Sequence, residues 1–163
     1  MDIRKLYHYA LQREYEGKRF FEESAERLSH AAVVGAFKQL AAEEQRHIEF
    51  IQGQISALDE GLSPSAEMGA RMDQQGFFWQ RAATELLDQS VLEAMVPDLP
   101  ALRTAYLIER DFAEFYGNAA REAEGESKKV LEMLARWEHG HELLFKQMHD
   151  MAFEQYAHMP WGG

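Results

Sequence analysis

The chain has 163 residues, 46% of them apolar, with a formal net charge of −11 and no cysteine. That length suits one domain with a real core. The acidic balance argues against nucleic-acid and anionic-membrane partners, and the missing thiols exclude disulfides, Cys-based zinc sites and rubredoxin-type iron. The N-terminal segment Met1-Asp2-Ile3-Arg4-Lys5 leads into polar sequence and not into an apolar run. No stretch reaches the ~18 apolar residues of a membrane span, so a soluble cytoplasmic protein is expected.

Four prolines are few, and Pro64, Pro97 and Pro100 all fall between positions 60 and 100, leaving long proline-free stretches that favour helices. Residues 2–28 carry Leu6, Ala10, Gly17, Phe21 and Leu28 at helical spacing, with Glu14 inside the same stripe. A charge buried there is costly unless it is paired or bound to metal. Ser29 is the expected N-cap of a second helix over 31–58, with its stripe through Val33, Phe37, Leu40, Ala41, Glu44, His47 and Ile51. Gly61 reads as its stop, in a loop over 59–66.

Beyond that loop, Phe77-Phe78-Trp79 and Leu86-Leu87 suggest a short helix over about residues 76–94. The aromatic triplet covers a bundle face or forms a dimer contact. Val96-Pro97-Asp98-Leu99-Pro100 interrupts the chain, and Asp98 can cap a third main helix over 99–123, through Leu102, Ala105, Glu109, Phe112 and Tyr116. After a turn at 124–127, a fourth runs over 128–156 through Leu131, Leu134, Ala135, Glu138, His141 and Phe145, followed by a tail from Met159. Tight turns make two antiparallel hairpins. A long crossover over about 59–98 joins them, giving an all-α, ferritin-like four-helix bundle in one domain over 1–163.

Glu44 and His47, and again Glu138 and His141, read Glu-x-x-His, which aims a carboxylate and an imidazole at one point of a helix face. Glu14 precedes Glu44 by 30 residues and Glu109 precedes Glu138 by 29. Two helices giving one Glu and two giving Glu-x-x-His match the ligand set of a carboxylate-bridged di-iron or di-manganese site. The hairpins also repeat internally. Ala10, Glu14, Phe20 and Phe21 match Ala105, Glu109, Phe115 and Tyr116 at an offset of 95, and Phe37, Leu40, Ala41, Glu44 and His47 match Leu131, Leu134, Ala135, Glu138 and His141 at 94. Glu43 also lies on the His47 face, but the repeat aligns it with Trp137 and selects Glu44. His139 reads as surface, and His8, His30, His149 and His158 as exposed or structural. Glu16, Glu22, Glu23, Glu49 and Glu142 read as solvated, and the eight methionines as core filler. Tyr116 either hydrogen-bonds a ligand carboxylate or packs with its hydroxyl satisfied.

The segments Ala10–Phe21, Leu40–His47, Glu109–Tyr116 and Glu138–His141 together resemble the four helices of the rubrerythrin family. The resemblance implies six iron ligands: Glu14, Glu44, His47, Glu109, Glu138 and His141. Glu44 and Glu138 would bridge, and Glu14 and Glu109 would each cap one metal. Two iron ions are the implied cofactor, with manganese or zinc able to take the same ligands. The implied activity is reduction of hydrogen peroxide by an external electron donor, with Tyr116 as a further candidate and a homodimer as the expected assembly. A ferroxidase acting with dioxygen and a non-catalytic scaffold with a structural metal are the competing expectations. Three departures mark the chain. It has no cysteine for a rubredoxin domain, Phe112 stands where the family carries an extra glutamate, and Phe21 replaces a first-helix tyrosine.

Overall fold

A computed structural model of the chain describes residues 1–82 and 89–160. Among the described residues there are helices and no strands: α1 (Ile3–Ala25), α2 (Ala31–Asp59), α3 (Glu67–Gln75), α4 (Phe78–Ala82), α5 (Gln89–Ala94), a 3₁₀ turn (Val96–Asp98), α6 (Leu99–Glu122) and α7 (Gly125–His158). None is long and apolar enough to cross a membrane. The principal packing is α1 on α2 and α6 on α7, as two hairpins. An ion pair from Arg4 to Asp59 (2.6 Å) and a hydrogen bond from Lys18 to Gln45 (3.1 Å) fix the first hairpin antiparallel.

The four long helices follow the apolar stripes, with ends moved by a few residues. α2 is capped by His30, whose Nδ1 accepts from the Ala32 amide at 3.2 Å, and not by Ser29. Asp98 makes no side-chain cap for α6. Its carboxylate instead accepts the Ser29 and His30 amides, each at 2.9 Å, and so ties the α1–α2 turn to the start of the second hairpin. Gly61 does close α2. At φ +75° its amide bonds to Leu58 and the next amide to Ala57, the paired bonds of a glycine-ended helix. α7 begins at Gly125 rather than at 128, because glycine takes the φ of +59° that turns the chain there.

The crossover differs most from expectation. Residues 67–75 are helical, Gly76 (φ +77°) ends that helix, and within the predicted helix over 76–94 residues 78–82 and 89–94 are helical as α4 and α5, with Leu86-Leu87 and the last three residues of the tail outside the described residues. α3 escaped detection because its buried face has only Gly69 and Met72. Gly69 has no Cβ to collide with Phe50 and Met133, which lets α3 lie close on the bundle. Phe77 is fully buried against Trp137, with ring centroids 5.3 Å apart, so the aromatic triplet seals a bundle face.

Two apolar cores fill the bundle. One gathers Tyr7, Phe50, Ile51, Leu131, Leu134 and Trp137, and the other Phe21, Phe37, Leu40, Leu102, Ala105 and Phe145. The charged residues of the inward stripes lie between them.

Candidate metal centre

Glu14, Glu44, His47, Glu109, Glu138 and His141 all have no exposed surface. Their helices bring them together in two groups. Glu14, Glu44, His47 and Glu138 offer atoms within 4.8 Å of one another, and so do Glu44, Glu109, Glu138 and His141. Glu44 and Glu138 belong to both. Each histidine turns Nδ1 inward. His47 Nδ1 lies 2.9 Å from Glu138, 3.3 Å from Glu14 and 3.4 Å from Glu44. His141 Nδ1 lies 3.3 Å from Glu138 and 3.4 Å from both Glu44 and Glu109. The imidazole rings are nearly parallel, 8° apart, with centroids 5.3 Å apart.

Four carboxylates in a dry interior are electrostatically expensive, and two imidazoles cannot neutralise them. The titration behaviour reflects this conflict. Burial, and then the charge of Glu44, push Glu14 up to about 8. The same two causes hold Glu109 well above the usual carboxylate range. Burial also works against the charged forms of Glu44 and Glu138, but the close approach and charge of the histidines, with Glu14 beside Glu44, bring both below it. For the imidazoles burial opposes the charged form. The surrounding glutamates, Glu138 foremost at His47 and Glu109 at His141, nonetheless hold both well above the ordinary histidine value.

The hydrogen-bond inventory is equally unbalanced. Both oxygens of Glu44, Glu109 and Glu138, one of Glu14, and Nδ1 of both histidines are buried with no well-formed hydrogen bond among the described residues. Natural interiors rarely leave such groups unpaired. Carboxylate oxygens and imidazole nitrogens that converge without satisfying one another are a donor set suited to cations, so the residues fit a pair of bound metal ions.

The surroundings fix these side chains. Tyr116, fully buried, donates its hydroxyl to Glu14. Burial, with the Glu14 charge next, holds its phenol well above the ordinary value, so it stays a donor. Gly17 sits one turn past Glu14, and the Phe112 ring occupies the space its Cβ would need, 3.0 Å away, with the Glu44 carboxyl carbon at 4.0 Å. Phe112 is in turn covered by the Arg13 guanidinium, 4.5 Å above the ring. The α1 glycine and the α6 phenylalanine thus close one side of the cluster against water.

Some expectations about the surrounding residues change. Glu142 is largely buried, paired with Arg110 at 2.9 Å and His139 at 3.0 Å, and is not a solvated group. His139, His8 and His158 are exposed, while His149 is half-buried beside Tyr106. Two neighbours hold places that their spacing along the chain does not give. Glu43 is buried, with one oxygen 3.0 Å from His141 Nε2 and the other accepting the Phe78 amide. Trp137 stacks on His47 at 5.1 Å. The signal for both was their alignment in the repeat, an unlike pair among matched residues.

Comparison with known proteins gives one family. The rubrerythrin family model matches residues 5–149. No curated protein and no solved structure matches the chain.

Proposed function

The chain belongs to the rubrerythrin family, and on that premise we propose that it is a di-iron oxidoreductase that reduces hydrogen peroxide with electrons from an external donor. The observation that carries the proposal is the pair of four-residue groups sharing Glu44 and Glu138. Glu44 and Glu138 would be shared between the two ions, Glu14 and Glu109 would each serve one, and His47 and His141 would each offer one nitrogen. Hard oxygen donors with one imidazole per ion suit iron or manganese, with zinc as a competitor in recombinant protein. When bound, two iron ions supply the two electrons that, with two protons, convert one hydrogen peroxide into two waters.

The protein's own part is placement and exclusion. Full burial of all six side chains restricts access to small molecules such as peroxide or dioxygen. Tyr116 orients Glu14 through its hydroxyl, and the Phe112–Gly17 contact keeps bulk water from Glu44. Burial favours the protonated forms of Glu14 and Glu109, and a carboxyl must be deprotonated to ligate, so loading is coupled to proton release. These residues contain no thiol for a rubredoxin-type centre, so the electrons would come from a donor outside them.

Anaerobic stopped-flow mixing of the iron(II)-loaded protein with peroxide and with dioxygen tests the proposal. Faster oxidation by peroxide, with two electrons consumed per chain and recovery on re-reduction, is expected. A preference for dioxygen with release of oxidised iron would replace it by a ferroxidase, and inertness to both by a structural site. Sedimentation of the same sample tests the proposed homodimer.

A further inference from the structure

The repeat that places His47 on His141 also places Glu43 on Trp137, both at an offset of 94. The structure puts these two unlike residues in corresponding, crosswise places. Glu43 of the first hairpin sits on His141 of the second, its Oε2 3.0 Å from Nε2. Trp137 of the second hairpin lies flat on His47 of the first, at 5.1 Å and 20°. His47 Nε2 is buried with no hydrogen-bond partner among the described residues, and the Phe77 ring stands edge-on to that imidazole at 6.2 Å. The inner faces of the two histidines are matched, and their outer faces are not.

We infer that Glu43 makes the two metal positions inequivalent, so that the position built by Glu44, Glu109, Glu138 and His141 fills before the one built by Glu14, Glu44, His47 and Glu138. The inference rests on the metal-binding reading above. A cation on Nδ1 leaves the imidazole proton on Nε2. At His141 that N–H donates to a buried carboxylate, which fixes the ring and strengthens the nitrogen as a ligand. At His47 the same N–H faces aromatic carbon, and a buried donor without an acceptor weakens binding. Glu43 is a positioning residue, since it reaches the metal only through His141.

The crossover holds both supports. The Phe78 amide at the start of α4 donates to the second Glu43 oxygen, and Trp137 Nε1 donates to Asp73 in α3 at 2.8 Å. Asp73 also pairs with Arg136 at 2.8 Å. The segment that looks like a mere link between hairpins therefore orients the outer groups of both histidines.

Cobalt(II) titration of the metal-free protein tests the order of filling, followed by absorption and by the hyperfine-shifted imidazole N–H signals in NMR. At one cobalt per chain the wild type should show one dominant shifted N–H, assigned to His141 by its absence in His141→Ala. Glu43→Ala should weaken that position by about 10- to 100-fold and distribute the first cobalt over both positions. Glu43→Gln keeps a neutral acceptor and should fall between the two, which separates a lost hydrogen bond from a collapsed fold. Circular dichroism checks the fold of each variant. Equal occupancy of both positions in the wild type, or equal weakening of both in Glu43→Ala, overturns the inference while leaving two bound metals. A wild type that takes up no cobalt overturns the metal-binding reading itself.

Discussion

Replacing Glu14 by Gln should stabilise the metal-free protein and weaken its response to metal, two effects of opposite sign from one isosteric change. Glu14 is fully buried, and its folded value of about 8 compares with an ordinary 4.5. The folded state therefore keeps a proton that the unfolded chain releases. Below pH 4.5 the carboxyl is neutral in both states and the substitution changes little. Between 4.5 and 8 the penalty for burying the acid grows with pH, and above 8 it is complete. At about 1.4 kcal/mol per pKa unit, the penalty is on the order of 2 kcal/mol at pH 6 and 5 kcal/mol above pH 8. Glutamine avoids it and still accepts the Tyr116 hydroxyl. For a chain of this size, 1 kcal/mol moves Tm by about 2–4 °C. Metal-free Glu14→Gln should thus melt about 10–20 °C above wild type at pH 9, and only about 4–8 °C above it at pH 6. Metal acts the other way. An ion at 1,000 times its Kd contributes ~4 kcal/mol, and a 100-fold loss of affinity reduces that to ~1.4 kcal/mol. Differential scanning calorimetry at pH 6 and 9, with and without manganese(II), measures all four values. A metal-free variant less stable than wild type at pH 9, or an unchanged rise in Tm with manganese, would refute the reasoning.

The double substitution of His47 and His141 by Ala removes one nitrogen ligand from each group, and metal analysis after iron loading should find both ions lost. Two retained metals would show that the assignment of ligands is wrong. Gly17→Ala puts a Cβ 3.0 Å from Phe112 Cε2, on a ring already covered by the Arg13 guanidinium. Overpacking of about 1–3 kcal/mol, less up to ~1 kcal/mol gained in helix propensity, should lower Tm by a few degrees. A raised Tm would mean that Phe112 has room to move.

The long helices and the six clustered residues were legible because both depend on period. Glu14, Glu44 and Glu138 are conspicuous as charges at positions where 3.6-residue spacing calls for apolar groups. The repeat then extended that argument to Glu109 and separated Glu44 from Glu43. Elements with little period were read less well. α3 buries only Gly69 and Met72, too few positions to establish a stripe. Sequence proximity suggests a local capping role for Asp98, while its partners are amides 68 and 69 residues away. Glu142 reads as solvated until Arg110, on the neighbouring helix, is brought to 2.9 Å.

What the sequence determines by itself is therefore the four-helix framework and the inward register of six polar side chains, since both follow from spacing along single helices. What tertiary structure decides is how the outer sides of that cluster are supported. Glu43 and His141 are 98 residues apart and belong to different hairpins, and no periodicity relates them. Only the packing of one hairpin on the other turns a misplaced acid into the partner of a histidine and an aligned tryptophan into the cover of its counterpart.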